Sequence, residues 1–217
     1  MAIRLVVFDV GETLVDETRQ WGEWAEWLGV GRLVFFAALG AVIAERQHHR
    51  EVFPRVRPGL DQAAATAARR AQGWASALVA ADLYPDAAPC LARLRDAGYR
   101  VGIVGNQGAA VTAQLRELGI AADFTGSSEE WGVEKPDPAF FRRLTEVAGV
   151  AAHQIAYVGD RLDNDVLPAQ AAGMRGVFLR RGPWGVVQAI WPEAALADLH
   201  IERLDELPPA LARLSAG

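Results

Sequence analysis

The apolar residues of this chain follow two alternating rhythms, and that alternation limits the fold more than any other property of the sequence. Residues 3–8 (IRLVVF), 99–104 (YRVGIV), 155–158 (IAYV) and 176–179 (GVFL) are short runs, apolar at nearly every position. Such runs read as strands covered on both faces of a parallel sheet. Between them residues 87–97, 109–118, 138–148 and 166–172 carry helical spacing, and 204–214 reads as a last, outer helix. Three of these helices run into Gly98, Gly119 and Gly149, the residue type that most readily takes the left-handed turn ending a helix. Strands alternating with helices of this length make βαβ units, and the expected fold is α/β with an open, doubly wound parallel sheet.

Residues 16–84 break the rhythm. They hold no convincing strand and three or four helical stretches, punctuated by Pro54, Pro58 and Gly59. They read as a helical insertion after the first strand, so the chain is expected to form a core from 1–15 and 85–217 and a helical domain from 16–84. Trp21, Trp24 and Trp27 fall on one arc of a helix, as the small core of that insertion or, in a sharper reading, as an aromatic lid over a site. Ala63 to Ala71 is rich in the best helix former.

Composition narrows the function classes. Of 217 residues 51% are apolar, enough for a sizeable core, and 22 basic residues against 27 acidic give a net charge of −5. That balance lacks the cationic footprint of a nucleic-acid binder. The longest apolar run, residues 33–44, is far short of the about 20 residues that span a bilayer, so it is expected to be a buried helix. Arg4 and Asp9 interrupt the N-terminus where a signal peptide would be apolar. Cys90 is the one cysteine and has no partner for an internal disulfide, in keeping with a reducing cytoplasm. All the basic residues but one are Arg, and the exception, Lys135, calls for a reason, since a compact ammonium and a planar guanidinium do different work.

In an open parallel sheet ligands bind at the carboxyl ends of the strands. The first strand delivers Asp9, Gly11 and Glu12 to that edge, the second Gly105, Asn106 and Gln107, and the third main strand Gly159, Asp160, Asn164 and Asp165. A loop between helices adds Glu134-Lys135-Pro136-Asp137-Pro138. Asp9, Asp160 and Asp165 could share a hard cation such as Mg²⁺ through oxygen ligands, which would resolve their mutual repulsion. Taken singly, Asp9 and Asp165 read sooner as helix caps than as ligands. The four polar clusters occurring in this order carry the functional reading. His48 and His49 are neighbours, so on a helix they point about 100° apart and form no metal pair. Arg55, Arg57, Arg180, Arg181 and Trp184 carry no specific signal.

The segments FDVGETLVDE, VGIVGNQ, EEWGVEKPDPAFF and VGDRLDNDVLPAQAAGM resemble, in order, the four motifs of the haloacid dehalogenase superfamily, and LHIERLDELPPAL is similar to its closing strand and helix. The branch resembled carries a helical cap after the first motif. The resemblance implies a Rossmann-like core, Mg²⁺, and transfer of a phosphoryl group from a small phosphorylated substrate through an aspartyl-phosphate. It assigns Asp9 as nucleophile and Asp9, the Gly11 carbonyl, Asp160 and Asp165 as the metal's surroundings. Lys135 would neutralise Asp9 and the transferring group, with Asp165 positioning Lys135 or a metal-bound water. Backbone N–H groups at Gly11, Glu12 and Asn106, beside Gly105, would cradle phosphate oxygens.

Two positions depart from that pattern. The family's second Asp, the general acid, is replaced by Gly11, and the Ser or Thr closing its second motif is replaced by Gly105. Glu12 is one residue out of phase with the missing acid. The expectation is therefore a Mg²⁺-dependent phosphatase limited to good leaving groups. The alternatives are a binding or regulatory protein on the same fold and a 2-haloacid dehalogenase, the latter opposed by Asp160 and Asp165.

Overall fold

The computed structural model describes residues 2–74 and 77–216. The chain divides into two compact units, one made of Met1–Asp16 with Leu78–Gly217, the other of Glu17–Ala77.

The first unit is built on six parallel strands: β1 (Leu5–Phe8), β2 (Arg100–Gly105), β3 (Phe124–Ser127), β4 (Ile155–Gly159), β5 (Arg175–Leu179) and β6 (Leu199–Ile201). Their order across the sheet is β3-β2-β1-β4-β5-β6, so the topology reverses direction at β1, between β2 and β4. That is the doubly wound arrangement, with its crevice at the reversal point. In register, Phe8 lies beside Ile103 on one side and Val158 on the other, which brings the three strand ends level.

Every side chain of β1 is fully buried. Val6 and Phe8 join Leu91, Leu94, Val101, Ile103 and Leu211 on one face, while Leu5 and Val7 join Phe140, Phe141, Leu144 and Tyr157 on the other. Each such side chain stabilises the fold by about 1.5–3 kcal/mol. The first face is covered by α5 (Ala87–Asp96) and α11 (Leu207–Ala216), the second by α8 (Pro138–Ala148) and α9 (Leu167–Ala171). The unit also contains α6 (Ala109–Glu117), α7 (Ser128–Trp131) and α10 (Gly182–Gln188). Gly98, Gly119 and Gly149 all have positive φ, so the expected helix stops are met. The strand β3 is absent from the sequence reading, and the last helix starts at Leu207, after a short 3₁₀ turn at Leu204–Glu206.

The second unit holds α1 (Thr18–Leu28), α2 (Arg32–Ala44), α3 (Val52–Val56) and α4 (Gln62–Ala71), and no strand among its described residues. The three tryptophans of α1 are half-buried. Trp24 packs edge-on to Phe53 with ring centroids 4.8 Å apart, and Trp21 lies 6.1 Å from Phe35, so the stripe belongs to the unit's own aromatic cluster. The expectation of a fully buried 33–44 helix is corrected. Phe35, Leu39, Val42 and Ile43 are buried, but Leu33 and Val34 are 82% and 61% exposed, because the run is apolar on all sides and only one side is covered. No single helix among the described residues is long and apolar enough to cross a membrane. The two histidines are not splayed as on a helix. His48 is the extended cap of a 3₁₀ turn, and its ring lies 4.2 Å from that of His49.

Candidate active site

The site is assembled at the level strand ends. Asp9 follows β1 and keeps its backbone in the sheet, its N–H donating to the Val158 carbonyl at 2.9 Å. The chain then turns tightly. The carbonyl of Val10 accepts from the N–H groups of Leu14 (2.9 Å) and Val15 (3.0 Å), and the Glu12 N–H donates to the Val15 carbonyl at 2.7 Å. Glu12 takes a left-handed φ of 51° to make this turn. Its N–H is thus spent inside the loop, and the expected phosphate contact from that group is corrected. The Glu12 side chain accepts a 2.7 Å hydrogen bond from the Tyr84 hydroxyl and lies against Gly182, where an added Cβ would sit 2.7 Å from the Glu12 Cβ.

The second strand end holds the lysine loop. Asn106 Oδ1 accepts from the Lys135 N–H at 2.8 Å, and its Nδ2 donates to the Lys135 carbonyl at 2.9 Å. The Lys135–Pro136 peptide is cis. Lys135 is 3% exposed, and its Nζ donates to Asp9 Oδ1 at 2.6 Å and to Asp165 Oδ1 at 2.5 Å. Burial is the largest influence on this ammonium and works against its charge. Asp165 and Asp9 together outweigh it and hold Lys135 charged well above the ordinary range.

The fourth strand ends in a wide π-helical turn, Leu162–Val166, of the kind that often marks functional sites. Asp165 Oδ2 accepts from the Arg161 N–H at 3.1 Å, which holds the side chain back over the strand end. Gly159 makes room for it: a Cβ there would meet the Asp165 Cγ at 2.5 Å. Gln188 braces the turn from α10, accepting from the Leu162 N–H at 2.6 Å and donating to Asp163 at 2.8 Å. Arg181 braces the first turn, donating to the Thr13 carbonyl at 3.1 Å and pairing with Asp86.

Asp9, Asp160 and Asp165 each offer a carboxylate oxygen, and these atoms lie within 4.8 Å of one another. Asp160 is 1% exposed, and its Oδ2 is buried without a hydrogen-bond partner. Burial, then repulsion from Asp165, Asp9 and Glu12, pushes its carboxyl well above the usual range. Burial likewise pushes Asp165 up to about 6, with Lys135 pulling it down and Asp9 adding to the rise. Three buried carboxylates, one with an orphaned oxygen, against one ammonium leave a deficit of positive charge. An all-oxygen donor set of this kind suits a hard divalent cation such as Mg²⁺.

This lysine-bridged carboxylate cluster at the reversal point of a doubly wound sheet agrees with a family comparison: residues 3–173 match the model of the haloacid dehalogenase-like hydrolases. The chain belongs to that family. Within it the chain is 41% identical over 130 residues to glyceraldehyde 3-phosphate phosphatase of Methanopyrus kandleri, covering 57% of this chain and 54% of that protein. It is 36% identical over 131 residues to phosphoserine phosphatase of Thermus thermophilus, covering 58% of this chain and 49% of the relative. These matches span about half the length of each relative. A solved 2-haloacid dehalogenase from Pseudomonas syringae pv. Tomato DC3000 is similar along 98% of this chain and 99% of its own, with a TM-score of 0.59 and 26% identity.

Of the sequence-derived site residues, Asp9, Lys135, Asp160 and Asp165 come together as one buried group. Gly11 and Gly105 border it, and Asn106 serves it through Lys135. Sequence reasoning missed Gln188, Tyr84 and Tyr157. The ring of Tyr157 lies 5.4 Å beneath the Lys135 ammonium, and its hydroxyl donates to the Val104 carbonyl at 2.7 Å. None of the three sits in a motif whose spacing would announce it.

Proposed function

We propose that this protein is a Mg²⁺-dependent phosphatase that hydrolyses small phosphorylated metabolites through an aspartyl-phosphate on Asp9. The observation that carries the reading is the buried Asp9–Lys135–Asp165 bridge beside the orphaned Asp160 oxygen. The three carboxylates together make an oxygen donor set for a cation, which supports a metal-dependent phosphatase over a metal-free dehalogenase. Asp9, the Gly11 carbonyl, Asp160 and Asp165 would surround the ion. When bound, Mg²⁺ supplies charge that lets a carboxylate approach a phosphate dianion. Glu17–Ala77 is read as the cap domain, and the lone buried Cys90 fits a reducing cytoplasmic setting.

In the first step a carboxylate oxygen of Asp9 forms a bond to phosphorus as the bond to the leaving oxygen breaks, and the electron pair departs with that oxygen. The Lys135 ammonium, already in contact with Asp9, offsets the charge gathering on the transferred group. In the second step water adds to phosphorus, the Asp9–phosphorus bond breaks, and inorganic phosphate leaves. An alkoxide leaving group needs a proton that Gly11 cannot give, a deficit of about 10²–10⁴ in rate, whereas an aryl or acyl phosphate does not. The Glu12 carboxylate accepts from the Tyr84 hydroxyl and lies against Gly182, one residue out of phase with the missing acid.

The missing acid also supports a second reading, a regulatory or binding protein that has kept the site without turnover. Assay of p-nitrophenyl phosphate hydrolysis with Mg²⁺ and with chelator, alongside chloride release from 2-chloropropionate, separates the readings. Metal-dependent release of p-nitrophenol without chloride is the expected result. Chloride release in chelator would establish a dehalogenase, and no turnover with retained Mg²⁺ binding would establish the binding protein.

A further inference from the structure

Gly105 ends β2 beside the nucleophile and lacks the hydroxyl that the family motif carries there. The space is filled by another side chain. A Cβ built on Gly105 would meet Asp9 Oδ1 on one side and Gln107 Oε1, 2.6 Å away, on the other. The carboxamide of Gln107 therefore folds back over the strand end, and Asp9 and Gln107 close on the same point. The backbone that presents it is fixed. The Gln107 N–H donates to the Gly105 carbonyl at 3.0 Å, and its carbonyl accepts from the Glu129 N–H and the Ser128 hydroxyl at 3.4 Å each. Glu129 in turn accepts from the Ala109 N–H at 2.7 Å and ties the loop to the start of α6.

Gln107 Nε2 is buried and has no hydrogen-bond partner. A buried amide nitrogen is costly unless something accepts from it, so a carboxamide whose backbone is fixed but whose nitrogen is unpaired gains by turning that nitrogen toward an acceptor. Half a turn of the carboxamide exchanges its two ends and brings both N–H donors to the Asp9 side. The acceptor to be expected at that spot is an oxygen of a group under attack by Asp9.

We propose that Gln107 is an anion-binding residue whose carboxamide N–H takes over, from one turn further along the loop, the hydrogen bond to the phosphoryl group that a hydroxyl at position 105 would make. The proposal rests on the phosphatase reading and deepens it. It also accounts for Gly105, since the carboxamide and any larger residue at 105 would compete for one volume.

The test uses orthovanadate, a phosphoryl mimic, titrated calorimetrically into the Mg²⁺-loaded protein, with p-nitrophenyl phosphate kinetics in parallel. Gln107→Leu keeps the bulk and removes the donors, and Gln107→Ala removes both. Expected is an about 10- to 100-fold weaker affinity for vanadate in each variant, the range of one hydrogen bond to a charged group. The Mg²⁺ affinity and melting temperature should match the parent protein. Vanadate binding equal to the parent's in either well-folded variant would overturn the role of Gln107 while leaving the phosphatase intact. Loss of Mg²⁺ affinity or of the melting transition in both variants would make Gln107 a structural prop and overturn it as well. A parent protein that neither binds vanadate nor hydrolyses the ester would overturn the phosphatase reading itself.

Discussion

Asn106 grips the Lys135 peptide from both ends, accepting from its N–H and donating to its carbonyl across 29 residues of sequence. This pair of bonds fixes the backbone from which the ammonium reaches Asp9 and Asp165. Asn106→Ala removes both bonds, at about 0.5–1.5 kcal/mol each. The midpoint of urea unfolding should fall accordingly. A loss of stability of that size leaves nearly all molecules folded, so turnover of p-nitrophenyl phosphate should fall by about 10-fold or more only because a displaced Lys135 no longer meets Asp9.

Asp160 trades stability for function. Its orphaned oxygen lies among like charges, so Asp160→Asn, which removes the charge and its repulsion, should stabilise the metal-free protein. Mg²⁺ should raise the melting temperature of the parent protein and leave that of the variant unchanged. Differential scanning calorimetry in chelator and in Mg²⁺ reads both effects, and a variant less stable than the parent in chelator would contradict the charge-deficit argument.

Gly11 does not have the positive φ found at several other glycines, so an L-residue there carries no left-handed strain. Gly11→Asp places an acid two residues beyond Asp9, the nucleophile of the proposed reaction. The rate on an alkyl phosphate should rise by about 10²-fold, with a much smaller gain on p-nitrophenyl phosphate. An unchanged ratio of the two rates would show that protonation of the leaving group does not limit this site.

Cys90 is 1% exposed, and burial, reinforced by Asp86, pushes its thiol up to about 12. A free thiol ionises at about 8.5. The unfolded chain therefore sheds this proton first, and the contribution of Cys90 to stability is intact below about pH 8.5 and lost progressively above it. Cys90→Ala should flatten the alkaline fall in stability. The native thiol should also resist Ellman's reagent until the protein is unfolded in guanidinium.

What the sequence reveals of this protein depends on how local each signal is. The strands β1, β2, β4 and β5 are legible because burial on both faces leaves unbroken apolar runs. The edge strand Phe124–Ser127 is not, since Phe124 is its one large apolar residue and Thr125, Gly126 and Ser127 make no apolar run, and its pairing with β2 supplies what its composition lacks. The acids and Lys135 are legible because each closes a strand or a motif. The Glu12 N–H is misread because its fate depends on a left-handed φ that a non-glycine residue gives no reason to expect. An amide side chain such as Gln188 leaves no pattern: it reaches Asp163 over 25 residues, a meeting that only the folded sheet arranges.

The helical unit leaves and rejoins the core at one place. Val15 pairs with Leu83, the Asp16 N–H donates to the Asp82 carbonyl at 2.7 Å, and the Tyr84 N–H donates to the Leu14 carbonyl at 3.0 Å. The first unit thus joins both ends of the excursion through its own backbone. The entropy of closing that long loop falls on these bonds, and it grows only slowly with the number of residues enclosed. A longer, shorter or different segment between Asp16 and Leu78 therefore leaves the register of β1 and the position of Asp9 as they are.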